Sequence, residues 1–309
     1  MPVPTWDVLG VGCNSVDYVY RVPASPRAGT STAKQRVSSH SASCGGQTAT
    51  AMAACAALGL RAAYLGAIGH DENGRRVRAE LVRRGVDVSP IVTREAPNRF
   101  AVITVDEATG DRMVLWDRDP RLNLTEREVE CSLIRAARLV HVDDEDQDAS
   151  IRAARLARDA GIPVTSDIDR LTDRTPELLA AVTVPIVSEH LLPELTGEGD
   201  PARALRVLRR SHDGLLCVTL GPAGAMLLAG DEVVHEPAFE VTAVDTTAAG
   251  DVFRAGFIHG LLHRAGPREL LRFANAAAAI ACTRPGAMGS VPGKKEIAAL
   301  LASVDRVIS

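Results

Sequence analysis

Aromatic residues are scarce: two Trp, three Tyr and five Phe make up only 3% of 309 positions. With 46% apolar residues overall, the core must therefore be built from Ala, Val and Leu. Charge of either sign is not in excess, the net value being −4, which excludes the strongly basic surface that nucleic acids or acidic membranes require. The six cysteines (Cys13, Cys44, Cys55, Cys131, Cys217 and Cys282) form no CxxC pair, so neither a disulfide framework nor a zinc site is expected. No HExxH occurs; His259 and His263 lie four apart on an expected helix and read as a solvated face rather than a metal pair. The start of the chain joins no basic stretch to an apolar run, and nowhere do about 18 apolar residues stand together. The expectation is a cytoplasmic protein, neither secreted nor inserted in a membrane. Internal repeats and low-complexity linkers are also missing.

What is present is concentrated in VDTTAAGDVFRAGF, Val244 to Phe257. Ala248, Ala249 and Gly250 are small enough to let backbone approach a ligand, and Val252 to Leu262 reads as a helix. Amides at a helix start, with the helix dipole behind them, attract anionic oxygens. Asp251 would stand at the lip of that site, where a carboxylate can take a proton from a hydroxyl. An anion cradle beside a base suits phosphoryl transfer to an alcohol. The plainer alternative is an Asp that caps a helix.

Elsewhere the chain alternates. Asp7 to Gly12 reads as a buried strand; GVGCNS puts Ser15 where a dinucleotide-binding loop needs its third glycine, so that reading is weak. Strands are also expected at Tyr18 to Val22 and at Thr32 to Ser39. CGGQTATAMAACAALG, from Cys44, places two glycines before a small-residue helix, Gln47 to Leu58. A buried strand (Ala62 to Ile68) and a helix (Arg75 to Arg84) follow, then a hairpin of Arg99 to Val105 with Arg112 to Trp116. Arg118, after that hairpin, reads as part of a solvated charge cluster rather than an anion contact. From Thr125 onwards helices (126–137, 149–160, 176–181, 202–210) alternate with short apolar strands (139–142, 162–166, 184–187, 215–220). This rhythm predicts a parallel sheet with helices on both faces and ligands beyond the strands' carboxyl ends. The acidic run Asp143 to Asp148 reads as a strand-to-helix turn, since it lacks the calcium-loop glycine. A hairpin (225–236) and helices at Pro267 to Cys282 and Glu296 to Val307 complete the chain.

The string Asp245 to Asp251 resembles the D-T-x-[GA]-A-G-D signature of the PfkB, or ribokinase, family of carbohydrate kinases, with Ala248 where many members carry Gly. Gly45, Gly46, Leu58, Gly59, Gly66, Gly69, Asp71 and Gly74 resemble its second signature, and the likeness spans nearly the whole chain. The resemblance implies an α/β fold of three layers, a mostly parallel central sheet with helices on both faces, in one kinase domain of residues 1–309. It adds a small β-sheet lid from about 17–39 and 97–118, which would expel water during transfer and could pair across a homodimer. It implies that Asp251 is the base and that Ala248, Ala249 and Gly250 form the anion hole. Asp17, with Asn14, Gly45, Gly46, Gln47 and Thr50, would hold a sugar; Gln47 and Thr50 replace two family asparagines, which leaves the sugar open. Thr219, Gly221 and Gly224 would touch ATP, and Asn275 would pack the adenine. Ser188 and Leu191 stand where most members have Asn and Glu of a magnesium-organising motif. Glu189 is the candidate substitute, and Ser188 resembles the ketohexokinase and sulfofructose kinase subgroup. In several members a potassium ion is held at positions matching Asp245, the Thr247 carbonyl, Gly286 and Ser290. ATP and Mg²⁺ are the implied cofactors, with K⁺ as a further expectation. A nucleoside kinase remains open, although the lid offers few aromatics beyond Tyr18, Tyr20, Phe100 and Trp116. So does a sugar-sensing protein without catalysis, kept open by the missing magnesium motif.

Overall fold

The computed structural model describes residues 4–308. Its strands are β1 (Val8–Val11), β2 (Ser15–Val22), β3 (Ser39–Gly45), β4 (Ala62–Leu65), β5 (Ala67–Gly69), β6 (Val92–Arg94) and β7 (Phe100–Asp106) in the first part of the chain. β8 (Arg112–Asp117), β9 (Val140–Asp143), β10 (Val164–Asp167), β11 (Ile186–Ser188), β12 (Leu216–Thr219), β13 (Ala225–Ala229) and β14 (Glu232–Glu236) follow. The helices are α1 (Gln47–Ala57), α2 (Glu72–Arg83), α3 (Cys131–Arg135), α4 (Gln147–Asp159), α5 (Thr175–Ala181) and α6 (Leu192–Thr196). α7 (Pro201–Leu208), α8 (Ala249–Leu262), α9 (Pro267–Cys282) and α10 (Lys294–Ile308) complete the set.

β4, β1, β9 and β10 lie side by side, all parallel. Bridges from Thr165 to Val184 and from Ile168 to Val187 carry the sheet on to β11. β11 is parallel to β12, and the antiparallel hairpin β13–β14 closes that side. Parallel strands feed crossover helices onto both faces and must be apolar on both; β1, β4, β9 and β10 are accordingly buried at every residue. One core packs α4, α5 and α7 on the sheet, and a second packs α1, α2, α8 and α9 on the opposite face. The small residues of α1 and α9 let helices and sheet approach closely, which is how a chain poor in aromatics fills its interior. Three layers result. No helix among the described residues is long and apolar enough to cross a membrane.

A second sheet stands off the first, in the order β3–β2–β7–β8. β2 is parallel to β7 and antiparallel to β3, and β8 is the outer strand, exposed along its whole length. Here the sequence expectation needs correction. Residues 31–33 form a 3₁₀ turn, and the strand runs Ser39–Gly45 instead of Thr32 to Ser39. Its Ser-His-Ser-Ala-Ser run carries no apolar alternation to betray it; pairing with β2, Asp17 opposite Ser43, makes it a strand. The helix expected over 126–137 is likewise a 3₁₀ turn, Glu126–Glu128, and the short α3. A capping box between Thr125 and Glu128 closes the turn, after which Val129 drops into the core. His259 is buried, stacked between His263 (4.0 Å) and Phe273 (4.7 Å), not on a solvated face. Burial lowers its pKa to about 4.

Candidate active site

Of the residues singled out in the sequence, Gln47, Glu189, Thr219, Gly221, Gly224, Ala248 to Asp251 and Asn275 line a cavity of about 990 Å³, whereas Asn14, Asp17, Gly45, Gly46 and Thr50 are not part of its lining. Its floor is Ala248 to Asp251 with Asp167, Asp169 and Arg254; its walls are Ser188 to His190, Thr219 to Gly224, Phe239 to Val241 and the α9 residues Asn275, Ala278, Ala279 and Cys282. Gln47 reaches in from the start of α1. The volume is at the upper end of small-molecule pockets.

Two features of the floor suit an anion. Ala248, which precedes α8, is left-handed with φ 62°, and no side chain caps the helix. The Ala249 N–H turns back to the Thr246 carbonyl at 3.2 Å, so it is less free than expected. The Gly250 and Asp251 N–H groups have no protein acceptor among the described residues. Gly250 also makes room for a neighbouring side chain. A Cβ there would lie 2.8 Å from Nη1 of Arg254, a guanidinium tucked beneath the helix start.

Arg254 is a residue that motif reasoning passed over. It follows Asp251 by three positions and so shares its helix face; an arginine inside the apolar run VFRAGF was the available signal. Its Nη2 lies 2.7 Å from Asp167 Oδ1, both side chains being buried. The angle is too poor for a hydrogen bond, which leaves Nε and Nη2 without an acceptor. Asp251 stands in this company. Burial raises its pKa well above the ordinary carboxylate range, and the neighbouring Asp167 adds to the rise against the pull of Arg254. The acidic run after β9 also proves structural to the site: Asp143 accepts the Cys13 amide and the Thr48 hydroxyl, each at 2.7 Å. Arg118, expected in solvent, pairs instead with Asp146 at 2.6 Å, both largely buried.

The residues expected to hold an acceptor cluster around β2 and the start of α1. Asp17 accepts from the Ser15 hydroxyl at 2.9 Å, and burial raises its pKa. A Cβ on Gly45 would lie 2.7 Å from the Asp17 carboxylate, so the glycine makes room for it. Gly46 has φ 95°, and a Cβ there would come within 2.4 Å of the Asn14 Cα. Asn14 and Thr50 are both buried. Asn14 donates to Tyr64 (3.0 Å) and to the Ala67 carbonyl (2.8 Å) and accepts from Asn98 (3.1 Å), so both its amide hydrogens are used in the framework. Thr50 is buried, its hydroxyl shut in without a partner.

On the nucleotide side, Gly221 (φ 54°) and Gly224 (φ 92°) shape the turn after Thr219, and a Cβ on Gly224 would strike the Glu236 carbonyl at 2.1 Å. The Asn275 side chain donates to the carbonyls of Glu236 (2.9 Å) and Pro237 (3.1 Å), pinning the wall that Phe239 and Glu240 continue. Leu191 is buried in the core while Glu189 lines the cavity.

The positions expected to hold potassium do not fit it. Asp245 Oδ1 receives Arg112 Nη2 at 2.6 Å and the Thr247 amide at 2.9 Å, and Oδ2 receives the Gly286 amide at 3.0 Å. The Ser290 hydroxyl donates to the Ala287 carbonyl at 2.8 Å. Burial opposes ionisation of Asp245, but these donors outweigh it and lower its pKa to about 2. A cation needs converging lone pairs; here N–H groups converge.

The pfkB family carbohydrate kinase pattern matches residues 12–294. The chain is 31% identical to the ATP-dependent ribose-1-phosphate kinase of Halopiger xanaduensis over 296 residues, 95% of this chain and 97% of that one. It is 28% identical to the ribokinase of Haemophilus influenzae over 93% of this chain and 95% of that one. It is 27% identical to a nucleoside kinase of Methanothermobacter thermautotrophicus over 94% of each. Among solved structures, that of Arabidopsis thaliana ribokinase complexed with ribose and ATP superposes with a TM-score of 0.83 at 24% identity, covering 97% of this chain and 99% of that one. A ribokinase candidate from Agrobacterium tumefaciens superposes with a TM-score of 0.89 at 29% identity, covering 97% and 98%. With a ribokinase-like α/β fold and a pattern match over most of its length, the chain belongs to the pfkB family of carbohydrate kinases.

Proposed function

We propose that this protein transfers the γ-phosphate of ATP to a hydroxyl of a small sugar or sugar derivative. The observation that carries the reading is the pair of unpartnered amides, Gly250 and Asp251, beside a buried carboxyl on the floor of a nucleotide-sized cavity. ATP lies between the Thr219–Gly224 turn and α9, its terminal phosphate on the free amides. Asp17, Gly46 and Gln47 hold the acceptor so that one hydroxyl faces Asp251. Asp251 removes that proton as the oxygen attacks phosphorus, the bond to the bridging oxygen breaks, and ADP leaves. Arg254 and the α8 start offset negative charge as it builds on the phosphoryl oxygens. The small sheet acts as a lid over the acceptor and excludes water, within one kinase domain spanning the chain.

No three His, Cys, Asp or Glu side chains among the described residues are grouped to hold a metal outright. Asp169 and Glu189, both in the cavity lining, would hold a magnesium ion brought in by the nucleotide. When bound, it supplies neutralisation of phosphate charge. The supporting likeness is to proteins solved with ATP, and with ATP and Mg²⁺. Free cysteines throughout support a cytoplasmic setting, and neither a nucleic-acid nor a membrane partner is proposed. Placement near ketohexokinase and sulfofructose kinase rests on Ser188 alone.

A second reading is a nucleoside kinase, favoured by the likeness to the Methanothermobacter nucleoside kinase. The lid aromatics speak against it. Arg99 lies over Trp116 at 5.6 Å, Tyr20 stacks on His40, and the Tyr18 hydroxyl is held by Asn73. The test is ADP release from Mg-ATP with D-ribose, D-fructose, ribose 1-phosphate and adenosine in separate arms. Product-coupled ADP with a sugar is expected. Turnover with adenosine alone supports the second reading, and turnover with no acceptor in a broad sugar panel favours sensing without catalysis.

A further inference from the structure

The Asp245 carboxylate ties together three segments that are far apart in sequence. Arg112, the first residue of the outer strand β8, reaches from the small sheet to the loop before α8. Its Nη2 lies 2.6 Å from Asp245 Oδ1 and its Nη1 donates to Thr247 Oγ1 at 2.8 Å. The Gly286 amide meets the other carboxylate oxygen at 3.0 Å, bringing in the loop after α9. The next residue after Thr247 is Ala248, whose left-handed backbone leads into the start of α8, and the unpartnered amides there belong to Gly250 and Asp251, both of which line the cavity.

A planar guanidinium can span a carboxylate and a hydroxyl at once, which a spherical ion or an ammonium cannot do in the same way. It also brings its positive charge on the chain itself, so the charge does not depend on the salt in solution. We infer that Arg112 takes the place of a bound monovalent cation, neutralising Asp245 and latching the small sheet to the loop that forms the anion cradle, so that the protein has no need of potassium. Arg112 is a positioning residue: it holds Asp245 and Thr247, and through them the start of α8.

Thermal unfolding of the full chain in potassium chloride and in choline chloride, at equal ionic strength, tests this. Wild type should unfold at the same temperature in both salts. Arg112→Ala, which leaves Asp245 facing an empty space, should gain a saturable, potassium-specific rise of about 2 °C. That rise should vanish when Asp245→Asn is added. Arg112→Lys keeps the charge and should remain indifferent to potassium; Arg112→Met, which keeps the stem, serves if the alanine variant does not fold. A saturable potassium effect on wild type overturns the inference, as does an Arg112→Ala or Arg112→Met protein no more responsive than wild type. Neither nucleotide nor acceptor is added, so a failure of the phosphotransfer reading would leave this result standing.

Discussion

Asp251 holds its proton more tightly in the folded protein than in the unfolded chain, because burial and Asp167 both oppose its ionisation. The folded state therefore loses stability as pH rises from the unfolded value of about 3.9 through the raised folded value. Replacing it by Asn removes that loss. Asp251→Asn should melt a few degrees higher than wild type near pH 8 and no higher near pH 4, as followed by thermal unfolding across pH. Equal melting differences at the two pH values would contradict the electrostatic account of this carboxyl. Gly250 makes a second test. Its missing Cβ leaves room for Nη1 of Arg254, so Gly250→Ala must push the guanidinium aside. We expect kcat to fall by about 10-fold to 10²-fold, with the melting temperature nearly unchanged, because the shift falls on charged groups around the phosphate and not on the core. At this scale the motif made Asp251 and Gly250 legible in the amino-acid string itself. Arg254 was not, and neither was its pairing with Asp167, which joins α8 to the end of β10 and which no local pattern records. For Asn14 the limit is the converse one: spacing cannot tell amide hydrogens spent on Tyr64 and Ala67 from ones that face a ligand.

The start of α8 carries the chemistry, and its geometry depends on one residue outside it. Ala248 has φ 62°, where an L side chain costs about 1 kcal/mol and glycine costs nothing sterically. Glycine also frees the unfolded chain, which offsets most of the gain. Ala248→Gly should accordingly retain activity and shift the melting temperature by less than about 2 °C. Ala248→Val places a β-branched side chain in that region and should lose both stability and turnover. Comparing the two by steady-state kinetics and thermal unfolding separates a backbone requirement from a side-chain one. Long apolar helices and buried parallel strands were legible as elements because their patterns are strong. β3 was not, because Ser39 to Ser43 owes its conformation to β2 and not to its own composition. The helix expected over 126–137 failed where Val129 was drawn into the core, breaking a periodicity that the sequence alone made plausible.

Across the whole molecule, the parallel sheet brings β10, β11 and β12 to one end, and their following loops surround the cavity with α8 and α9. That meeting point was expected from the alternation of strands and helices, since ligands gather beyond the carboxyl ends of parallel strands. The Arg112 contact was not, because it crosses 133 residues from the small sheet to Asp245. The outer strand of that sheet exposes Met113, Val114, Leu115 and Trp116 along an unpaired edge. Such an edge invites pairing with a second copy, and the dimer proposed through the lid should be seen by light scattering. Leu115→Lys should shift it to monomer with its helical circular dichroism intact; a monomeric wild type at assay concentration would contradict that proposal.

The central claim is that Asp251 takes the acceptor's proton beside the Gly250 amide. It is tested most directly by measuring ADP formation by purified Asp251→Asn against wild type, with Mg-ATP and the sugar that wild type accepts. The account predicts turnover lower by a factor on the order of 10²–10⁴ in a protein that unfolds at least as high as wild type. Wild-type turnover by that variant would contradict it.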